Sequence, residues 1–148
     1  MMILPYNRSL KDQVYTVWER SVAATHHFLK PEDFTFFKDI VKEIDFTEFN
    51  VFCAMDDEVV KGFLGVVDNK IEMLFVAPEY FGMGIGKSLL TYAMEELKAT
   101  EVDVNEQNEK AVSFYKAYGF EPYGRTEKDS SGKDYPILKM KLILEDRS

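Results

Sequence analysis

The spacing of apolar positions changes from helix-like to strand-like near residue 50 of the chain. After a short apolar run at residues 2–6, apolar residues recur every three or four positions in two segments, which predicts two successive amphipathic helices. Residues 9–12 form an S-x-x-D pattern that predicts the cap of the first helix, and Pro31 predicts the first turn of the second. The positions expected to face the core are Val14, Val17, Trp18, Ser21, Val22, Phe34, Phe37, Val41 and Ile44.

Three short runs rich in β-branched and aromatic residues follow, at residues 51–55, 59–67 and 70–76. Acidic and amide residues at 56–57 and 68–69 separate them, as is typical of tight turns between antiparallel strands. Further on we expect a helix from residue 89, a strand at 101–104, a helix at 108–118, and strands at 120–126 and 135–144. The order β-α-α-β-β-β-α-β-α-β-β predicts an α/β fold, with about four helices flanking a mixed, mostly antiparallel sheet.

Length and composition indicate one globular domain. The chain has 148 residues, of which 46% are hydrophobic, and this is enough for a single core. We expect the domain to span residues 1–144 and residues 145–148 to fray. No apolar run approaches the ~20 residues of a membrane span, and the N-terminus has no signal pattern, so a cytoplasmic protein without membrane contact is expected.

Charge and cysteine content restrict the chemistry further. The formal net charge of −8 argues against a nucleic-acid partner and favours a cationic substrate such as an amine. Cys53 is the only cysteine and lies in an apolar run, so we expect an inert core residue, with no disulfide framework and no metal cluster. The oligomeric state stays open, a homodimer included.

Residues 82–88, Gly-Met-Gly-Ile-Gly-Lys-Ser, lie between an apolar strand and an amphipathic helix. This order places backbone N–H groups at a helix N-terminus, where a phosphate group is favoured. A dinucleotide-binding turn would need its third glycine where Lys87 stands, and a P-loop would need its first glycine where Phe81 stands. The pyrophosphate loop of acetyl-CoA-dependent acetyltransferases, Q/R-x-x-G-x-G/A, fits Gly84 and Gly86, although Phe81 replaces the usual glutamine or arginine.

A second motif lies at residues 108–120, Asn-Glu-Lys-Ala-Val-Ser-Phe-Tyr-Lys-Ala-Tyr-Gly-Phe. In this order, the two motifs resemble those of the GNAT superfamily of N-acetyltransferases, and the resemblance runs over nearly the whole chain. The segments at residues 24–29 and 104–108 further resemble the YjaB-type bacterial acetyltransferases. The resemblance implies a GNAT-like fold with acetyl-CoA as the co-substrate.

The resemblance also implies which residues bind the cofactor. In this superfamily the strand before the loop carries a bulge, and its backbone binds the pantetheine arm and stabilises the developing oxyanion. The loop holds the pyrophosphate mainly through backbone amides, so Phe81 is expected to weaken cofactor affinity without abolishing binding. Asn108 contacts the cofactor arm, caps its helix, or does both. The implied cofactor-binding residues are Leu74, Phe75, Val76, Gly82, Met83, Gly84, Ile85, Gly86, Lys87 and Asn108.

Acetyl transfer to an amine needs a base for the nitrogen and an acid for the sulfur. Tyr115 stands at the family's general-acid position and would protonate the departing CoA thiolate, although its place on the helix also suits a core aromatic residue. Glu72 is the only charged residue at 71–76, where a partly buried carboxylate could act as the base. A strand residue that faces solvent is an equal alternative, and Glu19 or His26 could serve as the base instead.

The acceptor side of the site is implied by analogy with the family. His26 and His27 lie between the first two helices, and Tyr135 lies in the last hairpin; both regions border the acceptor in this superfamily. We therefore expect substrate contacts from these three residues. A histidine that is satisfied by nearby backbone groups is the competing interpretation for both imidazoles.

Three functions are compatible with these features. The first is transfer of the acetyl group of acetyl-CoA to an amine of a small molecule or protein, by direct attack within a ternary complex. The second is a catalytically silent acetyl-CoA-binding protein. The third is a nucleotide-binding protein that uses Gly86, Lys87 and Ser88.

Overall fold

The computed structural model describes residues 1–143 and contains seven strands and four helices in that range. The order of elements is β-α-α-β-β-β-α-β-α-β-β, so the predicted fold class is confirmed. The strands are β1 (Met2–Pro5), β2 (Asn50–Asp56), β3 (Val59–Val67), β4 (Lys70–Val76), β5 (Glu101–Asn105), β6 (Phe120–Thr126) and β7 (Ile137–Leu142). The helices are α1 (Lys11–Thr25), α2 (Pro31–Lys42), α3 (Ile85–Glu95) and α4 (Glu109–Ala117).

All strands form one sheet in the order β1-β2-β3-β4-β5-β7-β6. Every neighbouring pair is antiparallel except β4 and β5, which run parallel. A parallel pair needs a crossover connection, and α3 supplies it. The sheet is therefore mixed and mostly antiparallel, as predicted.

Strands β4 and β5 pair only at their beginnings. Lys70 pairs with Glu101 and Ile71 with Val102, and beyond these two pairs the strands diverge. On its other side β4 keeps its pairing with β3, where a bulge leaves Glu72 unpaired between Ile71 and Met73. Because a bulge bends and twists its strand, it turns the second half of β4 away from β5. The sheet therefore opens into a wedge at its centre.

Apolar side chains cover both faces of the sheet, because adjacent strand residues point to opposite sides. Phe63 joins the cluster beneath α1 and α2, whereas Leu64 joins the cluster beneath α3 and α4. The predicted inward positions of α1 are all buried. In the second helical segment Val41 is buried, and the other predicted positions are half-buried against the same cluster.

Two element ends differ clearly from the prediction. The expected cap at residues 9–12 is wrong, because Asn7 accepts a hydrogen bond from the Ser9 N–H at 3.0 Å and starts a 3-10 turn that leads into α1. The last strand begins at Ile137, after Pro136, which has no N–H for a strand ladder. Residues 144–148, which include the expected frayed tail, lie outside the described residues.

Candidate active site

The glycine turn between β4 and α3 has the backbone geometry of a helix N-terminus that is open to a ligand. Gly82 and Gly84 have φ angles of 78° and 80°, in the left-handed region that favours glycine. A Cβ atom on either residue would meet nothing within 4 Å, so backbone conformation, not crowding, requires glycine here. Gly84 is the N-cap of α3 and supplies no side chain, which leaves the first-turn amides free for an anion.

A cleft of about 490 Å³ lies against this turn and is the natural place for the cofactor. Its wall brings together the end of β4, the glycine turn and the start of α4. It contains nine of the ten predicted cofactor-binding residues; the tenth, Met83, is 66% exposed and lies outside the lining. The lining residues that matter below are Ser21, Thr25, His26, Leu74, Phe81, Lys87, Asn108 and Lys110.

Two lysines give this cleft a positive charge in an otherwise acidic protein. Lys87 and Lys110 line it, whereas Lys116 is exposed on α4 outside the lining. Phe81 also lines the cleft and is 46% exposed, so an apolar ring occupies the place where the family pattern has a polar side chain. The lysines and helix amides can attract a pyrophosphate, and Phe81 adds no hydrogen bond to it.

A second cleft, of about 100 Å³, fills the wedge where β4 and β5 diverge. Glu72 lines it from β4, Asp103 and Asn105 line it from β5, and Tyr115 lines it from α4. Lys70 pairs with Asp103 at 2.6 Å, which leaves Glu72 as the unpaired carboxylate of this cleft among the described residues. The wedge therefore offers a negatively charged opening that suits an ammonium group.

The two clefts meet, because they share part of their linings. The shared residues are His26, Leu74, Phe75, Asn108 and Ala111. A thioester that reaches Leu74 from the first cleft would therefore face an amine that enters through the second. The sheet opening that creates this junction is not visible in the sequence.

Tyr115 is a buried residue of α4 that lines the second cleft. Its ring packs edge-on against Phe114 and Phe120, and 7% of its surface is exposed. Its hydroxyl makes no hydrogen bond within residues 1–143. Every fully buried side-chain oxygen or nitrogen in that range has a partner, so the hydroxyl oxygen is not fully buried and can be reached from the cleft. Burial raises the pKa of the phenol, which therefore stays protonated at neutral pH.

Asn108 is the N-cap of α4, so its predicted structural role is present. Its side-chain oxygen accepts a hydrogen bond from the Ala111 N–H at 3.3 Å. The same side chain lines both clefts, and its NH₂ group is free to donate to a ligand. Capping and cofactor contact are therefore compatible.

The structure places the three candidate bases differently. Glu72 is exposed at the bulge, so the expectation of a partly buried carboxylate is wrong, although the residue lines the second cleft. Glu19 lines neither cleft, and its carboxylate accepts a hydrogen bond from Tyr15 at 3.4 Å. His26 lies at the junction of the clefts, and burial lowers its pKa to about 4, with a smaller contribution from His27.

The other two residues expected to bind substrate lie away from the clefts. His27 is exposed and lines neither of them. Tyr135 is buried, accepts a hydrogen bond from the Lys30 N–H at 3.1 Å and donates one to Asp33. Tyr135 thus ties the last hairpin to the start of α2 beside the acceptor region, and a direct substrate contact stays a prediction.

Sequence reasoning missed several residues of the site, namely Ser21, Thr25, Tyr80, Asp103, Asn105 and Phe114. Ser21 and Thr25 carried a usable signal, because two small polar residues four positions apart lie on one face of a helix. Asp103 and Asn105 alternate along a strand with buried valines, and only the divergence of β4 from β5 gives them a cleft to line. Their role depends on tertiary structure.

Three further observations concern metal ligands, membrane-spanning helices and the cysteine. Within residues 1–143, no group of three or more histidine, cysteine or carboxylate side chains is placed to hold a metal ion. No helix in that range is long and apolar enough to cross a membrane. Cys53 has no exposed surface, and burial raises the pKa of its thiol to about 12, which agrees with the predicted inert role.

The family is established by similarity as well as by fold. The model of the acetyltransferase (GNAT) domain matches residues 19–144. The chain therefore belongs to the GNAT acetyltransferase family, and it is an acetyl-CoA-dependent N-acetyltransferase, as the two sequence motifs predicted. This assignment makes acetyl-CoA the co-substrate and an amine the acceptor.

Its relatives include named enzymes. The chain is 34% identical to the peptidyl-lysine N-acetyltransferase YjaB of Escherichia coli (strain K12), over 96% of this chain and 99% of that protein. The solution structure of apo YjaB from Escherichia coli matches with a TM-score of 0.88, covering 96% of this chain and 97% of that one. The PaiA N-acetyltransferase of Thermoplasma acidophilum, solved in complex with coenzyme A, shares the fold at a TM-score of 0.67 and 24% identity, over 95% of this chain and 99% of that chain.

Proposed function

We propose that the protein acetylates the ε-amine of lysine side chains in other proteins. The observation that carries the proposal is the meeting of two clefts at His26, Leu74 and Asn108, one suited to a phosphate-bearing cofactor and the other to a cation. A lysine side chain is a narrow apolar stem with an ammonium at its end, and it suits a small cleft lined by Glu72 and Asp103. The Escherichia coli relative is named for the same acceptor.

Direct attack within a ternary complex is the reaction sequence that we propose. The two clefts adjoin and share only part of their linings, so both substrates can be bound at once. An acetylated cysteine intermediate is disfavoured, because the Cys53 thiol is buried and its pKa is raised to about 12. The amine nitrogen therefore attacks the thioester carbon itself.

Tyr115, Glu72 and the predicted cofactor-binding residues each have a role in this proposal. Tyr115 donates its hydroxyl proton to the CoA thiolate, a role that needs the protonated phenol that burial favours. Glu72, exposed at the mouth of the wedge, attracts the acceptor ammonium by its charge. Residues 74–76, the amides of residues 82–87 and the Asn108 side chain hold acetyl-CoA.

The acceptor class can be tested by measuring CoA release with a panel of amines. We would compare a peptide that carries one lysine, the same peptide with arginine in its place, free lysine and a polyamine, and locate the acetyl group by mass spectrometry. We expect turnover with the lysine peptide and none with the arginine peptide. Turnover with small amines alone would contradict the protein acceptor, and tight acetyl-CoA binding without any turnover would favour a silent binder.

The proposed role of Tyr115 as proton donor can be tested with two matched variants, Tyr115→Phe and Tyr118→Phe. Tyr115→Phe should lower kcat by about 10²-fold or more, since general acid catalysis contributes this much, with an unchanged dissociation constant for acetyl-CoA. Tyr118→Phe is the control, because Tyr118 is half-buried beside Phe114 and lines neither cleft. Equal kcat values for the two variants would refute the assignment of Tyr115.

A further inference from the structure

His26 lies at the C-terminal end of α1, where it borders both clefts. It is the C-cap of α1, and its backbone N–H donates a hydrogen bond to the Val22 carbonyl at 2.8 Å. Its ring packs on Phe28, with 5.2 Å between the ring centroids, and lines both the cofactor cleft and the acceptor cleft. The imidazole is therefore held beside the point where thioester and amine would meet.

A chain of hydrogen bonds favours one position for the proton of the His26 ring. The Thr25 hydroxyl donates its single hydrogen to the Ser21 carbonyl oxygen at 2.8 Å. Thr25 Oγ1 lies 2.7 Å from His26 Nδ1, and while its hydrogen is donated to Ser21, the oxygen can accept a hydrogen bond from Nδ1–H. This arrangement favours the Nδ1–H tautomer of the neutral imidazole, in which Nε2 carries the lone pair.

The Nε2 atom is free to meet a substrate. It has no hydrogen-bond partner among residues 1–143, and no buried side-chain nitrogen in that range lacks one, so Nε2 is accessible. The ring lines both clefts. An oriented, unprotonated nitrogen at a cleft junction has the geometry of a general base.

We propose that His26 is the catalytic base that takes the proton from the acceptor nitrogen through Nε2, with Thr25 as the positioning residue that fixes the tautomer. This proposal rests on the proposed function, because it needs an amine acceptor in the wedge. Glu72 then attracts the ammonium, and His26 removes the proton that the nitrogen must lose during acetyl transfer.

The proton transfers balance with His26 in this role. The ammonium releases one proton to solvent, the free amine attacks the thioester carbon, and a C–N bond forms. The excess proton on nitrogen passes to Nε2 of His26, while the C–S bond breaks with its electron pair on sulfur. The thiolate takes the hydroxyl proton of Tyr115, and His26 returns its proton through solvent to the phenolate. The products are the amide, CoA with a free thiol, and one proton in solvent.

Burial keeps the imidazole neutral when the substrates arrive, although charged groups line both clefts. Lys87 and Lys110 line the cofactor cleft with it, Glu72 and Asp103 line the acceptor cleft, and His27 is its sequence neighbour. The pKa of His26 is lowered to about 4, chiefly by burial, so Nε2 keeps its lone pair throughout the neutral range. A weak base suffices at this stage, because the nitrogen becomes strongly acidic once it is bonded to the acetyl carbon.

The tautomer can be tested without any turnover. In protein labelled with ¹⁵N at histidine, long-range ¹H–¹⁵N spectra at pH 7 should identify His26 as the Nδ1–H form, and Thr25→Val should shift it towards the Nε2–H form. A His26 that is the Nε2–H tautomer or charged at pH 7 in the wild-type protein would overturn the proposal. This result is independent of whether a lysine peptide is the acceptor.

The catalytic role is tested by rescue. His26→Ala should lower kcat/KM for the acceptor peptide or amine by about 10²-fold or more, which is the usual contribution of a general base. Its acetyl-CoA affinity and unfolding midpoint should stay near those of the wild type. Free imidazole should restore activity to His26→Ala but not to Tyr115→Phe, and Thr25→Val should lose less activity than His26→Ala. His26→Asn serves as a second variant if the alanine protein is unstable.

Full activity of His26→Ala or His26→Asn, or a loss that imidazole fails to reverse in a folded variant that binds acetyl-CoA, would overturn the assignment. Absence of turnover by the wild-type protein with every amine would instead refute the proposed function, and the tautomer measurement separates these two failures.

Discussion

Replacing Gly62 in β3 with alanine should disturb the elements that line the cofactor cleft. It pairs with Val76 at the end of β4, close to the glycine turn. A Cβ atom on Gly62 would lie 2.9 Å from the carbonyl oxygen of Phe75 and 3.2 Å from side-chain atoms of both Ile85 and Leu89. Since the nearest atom belongs to the backbone, it cannot rotate away, and Gly62→Ala must shift β4 or α3.

The same substitution at Gly124 in β6 is a matched control. There the added Cβ would lie 3.7 Å from the nearest atoms of Lys139, which is ordinary contact. Gly→Ala at a compatible site stabilises by about 0.4–1 kcal/mol, because it restricts the unfolded chain. Overpacking a closed site costs about 1–3 kcal/mol, so Gly62→Ala should be destabilised where Gly124→Ala is not.

Urea unfolding followed by the fluorescence of Trp18 measures the difference. Trp18 is the single tryptophan of the chain and is 7% exposed, so its emission reports loss of the core. With a slope of about 2 kcal/mol per molar urea, a loss of 2 kcal/mol lowers the midpoint by about 1 M. Gly62→Ala should also bind acetyl-CoA more weakly. A midpoint for Gly62→Ala equal to or above that of Gly124→Ala would refute the reasoning.

Three further predictions follow from the same structure. Gly84→Ala should cost about 1–2 kcal/mol, because alanine must adopt the left-handed φ of 80° at the start of α3, and urea unfolding would detect it. Phe81→Arg should lower the dissociation constant for acetyl-CoA and make it more salt-dependent, as titration calorimetry at two salt concentrations would reveal. Tyr135→Phe should lower the unfolding midpoint at pH 7. The hydrogen bond from Tyr135 is the largest cause of the lowered Asp33 pKa. Its contribution to stability is therefore present above the ordinary aspartate pKa and is lost as pH falls through the lowered pKa of the folded state. The stability deficit of Tyr135→Phe should accordingly shrink in acid.

The predictable part of the structure is the part that local sequence controls. The buried face of α1 was readable because Val14, Val17, Trp18 and Val22 recur at helical spacing against a core that needs one apolar stripe. The turn into α3 was readable because few residues other than glycine tolerate positive φ angles. Asn108 was readable as a helix cap because its short side chain reaches the N–H three residues on.

The acceptor cleft could not be predicted from the sequence in the same way, because it depends on how β4 and β5 separate. The sequence leaves a partly buried and a solvent-facing Glu72 equally open, and the structure shows the residue exposed at the bulge beside Ile71. The Thr25 and Ser21 hydrogen bonds that orient His26 depend on where the helix ends relative to β4. Such arrangements are set by packing between distant segments, and residue types alone do not encode them visibly.

The wedge between β4 and β5 also affects the cohesion of the molecule. In the described structure, only two residue pairs join the strands β1–β4 to the strands β5–β7 by β-ladder pairing. Apolar packing also crosses the gap, because Leu64 of β3 and Met140 of β7 belong to one core cluster. Apolar contacts are not directional, so they permit small sliding motions that a full hydrogen-bond ladder would resist. We therefore expect the backbone amide hydrogens of β4 beyond Ile71 to exchange with solvent faster in the protein without ligand than in its complex with the cofactor. A cofactor at 100 times its dissociation constant would add about 2.7 kcal/mol of stability and couple the two halves mechanically.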